Sequence, residues 1–64
     1  MVRINGKDIE AAGQNLLAYL TEQEYRTDCI AIELNGAIVS RKDYDKVTLK
    51  DGDSMEIVHF VGGG

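Results

Sequence analysis

The chain has no proline, one cysteine and one histidine, and its acidic residues outnumber its basic ones 11 to 7. Each shortage excludes something. A single cysteine, Cys29, closes no disulfide within the chain, so the core has no covalent staple; a reducing compartment, and hence the cytoplasm, is the simplest expectation. A single histidine, His59, has no serine, cysteine or second histidine beside it, which leaves no adjacent nucleophile–base pair. No two cysteines or histidines have the spacing of zinc ligands. The net charge is -4, and Arg3, Lys7, Arg26, Arg41, Lys42, Lys46 and Lys50 are scattered rather than clustered. Nucleic acid is therefore not expected as a partner, and an acidic surface favours a more basic protein instead. No apolar run approaches membrane-spanning length, and the opening MVRINGKDIE lacks the apolar segment of a signal peptide, so no membrane association is expected.

What is present is a soluble globular composition, with 44% hydrophobic residues in 64, enough for one small domain. Val2 and Ile4 alternate with polar neighbours, and Asn5-Gly6 tolerates the positive φ of a hairpin turn. KDIEA is expected to return as a second strand with Ile9 inward, broken by Gly13. Asn15 is placed to cap a short helix over LLAYLTEQEY, with Leu16, Leu17 and Leu20 on its apolar face. CIAIEL reads as a strand with Ile30, Ile32 and Leu34 on one side. A second Asn-Gly turn at Asn35-Gly36 leads into AIVS. RKDYDK is expected to cross irregularly with a helical turn near Tyr44. VTLK reads as a short strand, Asp51-Gly52-Asp53 as a turn and MEIVHFV as the last strand. Two strands, a helix and further strands make an α+β chain. The compact arrangement lays the one main helix on one face of a mixed four- to five-stranded sheet, with the first and last strands parallel in the middle. This is the β-grasp arrangement of ubiquitin and its relatives. Residues 1–60 form the expected domain and residues 61–64 a flexible glycine tail.

The body holds little catalytic equipment. Cys29 reads as a small buried hydrophobe and His59 as an ordinary strand residue. Asp43, Asp45, Asp51 and Asp53 lack the alternating oxygen ligands of a calcium loop, and Asp51-Gly52-Asp53 is turn chemistry. The terminal glycines are followed by no helix and make no phosphate loop. The functional signal lies in the tail. A glycine run threads a channel too narrow for any side chain, and Val61 with Gly62, Gly63 and Gly64 reaches about 13 Å at roughly 3.3 Å per residue. A loose terminus with no role is the alternative. On the last strand Met55, Ile57 and His59 point one way, and Glu56, Val58 and Phe60 the other. If the first set faces the helix, Val58 and Phe60 form an apolar patch leading into the tail, a surface for a partner. The other possibility is that Phe60 covers a sheet edge.

The segments VRINGKDI, AAGQNLLAYL, AIELNGAIVSRKDY and LKDGDSMEIVHFVGGG, together with the overall length, resemble the ThiS family, the sulfur carriers of thiamine thiazole biosynthesis. The resemblance spans nearly the whole chain. Its most specific elements are Asn35-Gly36, Val39-x-Arg41, the DGD turn and the terminal VGGG; Ser40 stands where the family often has proline. The resemblance implies a carrier that is no enzyme itself but a protein co-substrate, a monomer when free. A ubiquitin-activating-like adenylyltransferase is expected to use ATP and magnesium to join the Gly64 carboxylate to AMP. Sulfur taken from cysteine by a desulfurase then converts it to a thiocarboxylate, and thiazole synthase receives that sulfur. Gly62 and Gly63 serve as the arm, and Val58, Phe60 and Val61 meet the partner. No cofactor is bound by the carrier.

Three rival readings share the residues. A carrier for molybdopterin or another sulfur-transfer pathway has the same body and Gly-Gly end, but the molybdopterin carrier is usually longer. A protein modifier would be activated in the same way and joined to lysines. A β-grasp interaction module with an inert tail would lose nothing on deletion of Gly63 and Gly64.

Overall fold

Short-period alternation at the N-terminus becomes a hairpin. In the computed structural model, which describes residues 1–60, strand β1 (Val2–Ile4) pairs antiparallel with β2 (Lys7–Ile9). Asn5 and Gly6 both have positive φ, 50° and 83°, the mirror-image turn whose twist matches a two-residue hairpin. The second Asn-Gly pair repeats the device between β3 (Ile30–Leu34) and β4 (Ala37–Val39). The last strand, β5 (Ser54–His59), lies between β1 and β3, parallel to the first and antiparallel to the second. The sheet order is β2-β1-β5-β3-β4, so the mixed sheet has five strands with the first and last side by side.

One helix, α1 (Leu16–Glu22), packs on one face of this sheet. Asn15 caps it, its Oδ1 accepting from the Ala18 amide at 3.1 Å. The helix ends on Glu24, which has φ 62°. The Tyr25 amide donates to the Leu20 carbonyl and the Glu24 amide to that of Thr21, the paired bonds of a Schellman close. At seven residues α1 is too short to persist alone. It is held by burying Leu16, Tyr19 and Leu20 against Val2, Ile4, Ile30, Ile32, Met55 and Ile57 of the sheet. Tyr44, in the 3-10 helix Arg41–Lys46, and Leu49 close the same core.

Four local expectations are corrected. VTLK is not a strand: its backbone bonds go to the helix entry, Gly13 donating to Leu49, Leu49 to Gln14 and Leu16 to Val47, which leaves only an isolated bridge between Asn15 and Thr48. Leu49 is nonetheless fully buried, one of the core residues. The returning strand stops at Ile9 rather than at Ala11, which is buried in the turn beyond it. Tyr19, not Leu17, shares the deeply buried helix face with Leu16 and Leu20; Leu17 is half-buried at its margin. Cys29 sits in a 3-10 turn, Thr27–Cys29, and is half-buried rather than interior.

Candidate functional site

Alternation along β5 divides its side chains between two environments. Met55 and Ile57 enter the core, whereas Val58 and Phe60 are 54% and 52% exposed on the face away from α1. Pairing with β3 extends that outer face: Val58 stands opposite Ala31, and Glu56 opposite Glu33. On the next strand Ile38 is opposite Glu33 and is 72% exposed. Ile38, Val58 and Phe60 are thus three large apolar side chains left in water on the open sheet. Past the end of β5, the Phe60 amide still donates to the Cys29 carbonyl at 3.0 Å, which holds residue 60 to the sheet.

Beside Phe60 an open groove is lined by Ala31, Ile38, Ser40, Arg41 and Asp28. Asp28 is held below the ordinary carboxylate range chiefly by the nearby positive charge of Arg26, whose guanidinium lies 3.3 Å away. His59 is exposed, and its ring tilts against that of Tyr25 with centroids 5.4 Å apart. Among the described residues no group of three or more His, Cys, Asp or Glu side chains could hold a metal ion. No helix there is long and apolar enough to cross a membrane.

Of the residues singled out in the sequence, Val58 and Phe60 lie together on the open face as the alternation implies. Val61, Gly62, Gly63 and Gly64 lie outside the described residues. Ile38 was missed. The signal was there: the two-residue turn at Asn35-Gly36 fixes the β3–β4 register, and that register turns Ile38 outward beside Glu33.

A helix laid across a mixed sheet whose first and last strands run parallel at its centre defines a ubiquitin-like β-grasp domain. Within that class the chain belongs to the ThiS family, whose family model matches residues 2–64. It is 38% identical over 69 residues to the sulfur carrier protein ThiS of Bacillus subtilis, covering 100% of both chains. It is also 39% identical over 64 residues to a thiazole synthase of Magnetococcus marinus, where 98% of this chain covers only 20% of that protein. A thiazole synthase of Paramagnetospirillum magneticum gives 39% identity over 62 residues, 95% of this chain and 19% of the relative. The chain therefore spans about a fifth of the length of both synthases. Among solved structures, the thiamine biosynthesis protein (ThiS) of Geobacter metallireducens superposes with a TM-score of 0.77 at 31% identity, covering 98% of this chain and 97% of that one.

Proposed function

We propose that the chain is a sulfur carrier of thiamine biosynthesis, a co-substrate whose Gly64 carboxylate is the reacting group. The observation that carries this reading is the apolar face formed by Ile38, Val58 and Phe60, which adjoins the point where the sequence turns to glycine. Membership of the ThiS family, by a match that runs to residue 64, supports it.

A carboxylate resists nucleophiles because its negative charge repels them and oxide does not leave. Adenylation removes both obstacles. An activating enzyme of the ubiquitin-activating type attaches AMP from Mg-ATP to Gly64 and releases pyrophosphate. A persulfide sulfur originating from cysteine attacks the Gly64 carbonyl carbon; the carbon–sulfur bond forms as the bond to AMP breaks. Two electrons from a thiol then cleave the sulfur–sulfur bond and leave the terminal thiocarboxylate. That group carries its charge largely on sulfur and is the nucleophile presented to thiazole synthase. Gly62 and Gly63 give the arm its slim profile. Val58, Phe60 and Val61 supply docking contacts at its root, and the partners supply the catalytic groups.

Intact mass after incubation with the activating enzyme, ATP, cysteine and a desulfurase tests the reading. The expected result is a gain equal to one oxygen exchanged for sulfur, placed at Gly64 by fragmentation. An unchanged mass with active partners overturns it and leaves a binding module with an inert tail.

A further inference from the structure

The open face carries an arrangement that free sheets avoid. Glu33 and Glu56 are direct cross-strand partners, and both are exposed. The Phe60 amide bonds to the Cys29 carbonyl, and the Asn35 amide to that of Ser54. These two contacts set the phase of the β3–β5 ladder, and two-residue steps from either end make Glu33 and Glu56 a hydrogen-bonded pair. Their Cα atoms are then about 5.5 Å apart, with both side chains on one face. Like charges placed directly opposite destabilise a sheet.

Neither glutamate joins an ion pair among the described residues. Arg3, on the same face beside Ser54, is turned to Asp8, its Nε 3.5 Å from Oδ1. Around the carboxylates lie Ile38, opposite Glu33, and Val58, one inward–outward repeat beyond Glu56. The face is thus a doubly negative spot bordered by exposed apolar side chains. Its complement is a positively charged side chain flanked by apolar ones.

We infer that Glu33 and Glu56 form a clamp for a basic side chain of thiazole synthase, which seats between the two carboxylates while apolar groups of that enzyme cover Ile38, Val58 and Phe60. This rests on the carrier reading and names the chemistry of its docking face. Two thiazole synthases contain a region similar to this chain, which supports that enzyme class as the partner. Docking turns a repulsive pair into two charge-assisted contacts, so the pair weakens the free domain and strengthens the complex.

The opposing signs make the test. Glu33→Gln, Glu56→Gln and the double variant are compared with the unaltered chain by thermal melting and by calorimetric titration into thiazole synthase from the same genome. Each single variant is expected to melt about 2 °C higher. Each is expected to bind about tenfold more weakly and with a shallower dependence on salt. The double variant is expected to lose less than the product of the two single losses, because both carboxylates address one cation. Unchanged affinity and salt dependence in both single variants overturn the clamp, as does a lowered melting temperature in both. If the unaltered chain takes up sulfur at Gly64 while the glutamine variants bind as it does, only the clamp fails. If the unaltered chain neither takes up sulfur nor binds the synthase, the carrier reading fails with it.

Discussion

Asn15 ties three pieces of chain together with one side chain. Its Oδ1 caps α1 at Ala18, while its Nδ2 donates to the Asp45 carbonyl at 2.8 Å and reaches that of Val47 at 3.4 Å. Asn15→Ala is expected to cost about 2 kcal/mol, the upper end for a lost cap, because two carbonyl partners are released as well; urea unfolding measures it. Phe60 is the opposite case. Half exposed and outside the core, it contributes little to the folded state, so Phe60→Asp should move the melting temperature by no more than about 2 °C. On the carrier reading the same substitution should weaken thiazole synthase binding at least tenfold, read by titration, since a third negative charge and a lost apolar contact act together. At this scale the sequence was legible where period-two alternation governs, as at Val2, Ile4, Met55, Ile57, Val58 and Phe60. It was not legible at Cys29. Whether a residue at a strand's head is paired or coiled into a 3-10 turn depends on where the incoming chain has to bend, and no local pattern records that.

Elements raise a different question: what holds a helix of seven residues? Its C-terminal close places Glu24 in the left-handed region, where glycine is the usual occupant. Glu24→Gly should relieve that conformation and raise stability by up to about 1 kcal/mol, measured as a shift in the urea midpoint. The helix and the 3-10 segment also bury two phenols. Burial is the main cause that lifts the Tyr19 hydroxyl above its ordinary value of 10.0, with the charges of Tyr25 and Glu22 adding to it. Burial likewise raises Tyr44, partly offset by Arg41. The folded chain therefore holds these protons more tightly than the unfolded one. The contribution is fully present below pH 10 and is lost as pH rises through the raised folded values, so stability should decline on the alkaline side. Thermal melts from pH 9 to 12, with phenolate absorbance followed in parallel, should show ionisation of these tyrosines coinciding with unfolding. The two Asn-Gly hairpins and the capped helix were readable because each rests on a few adjacent residues. VTLK was misread because its alternation reports burial, while its hydrogen bonds go to residues 13–16, far away in sequence.

For the molecule as a whole, strand order was the least local property. Parallel partners such as Arg3 and Ser54, far apart in sequence, leave no mark on any short window; that the first and last strands lie side by side in the middle came partly from analogy to a known architecture. The apolar open face was half legible: one strand's alternation exposed Val58 and Phe60, but Ile38 and the Glu33–Glu56 pairing appear only when three strands are in register. Deleting Gly63 and Gly64 separates fold from function at this scale. Because the core ends at Ile57, the melting temperature should stay the same. On the carrier reading, sulfur uptake measured by intact mass should fall to nothing.

The central place of β5 has a mechanical consequence. Residue 60 lies at the end of the sheet away from Met1, and β5 is bonded to a strand on each side. A pull on residue 60 along the strand axis loads its hydrogen bonds in shear, many at once, instead of peeling them one after another. The Asn5 side chain adds two rivets to the same strand, accepting from the Ile57 amide at 2.7 Å and donating to its carbonyl at 3.3 Å. On the carrier reading, the domain stays folded as an anchor when a partner draws on its C-terminus.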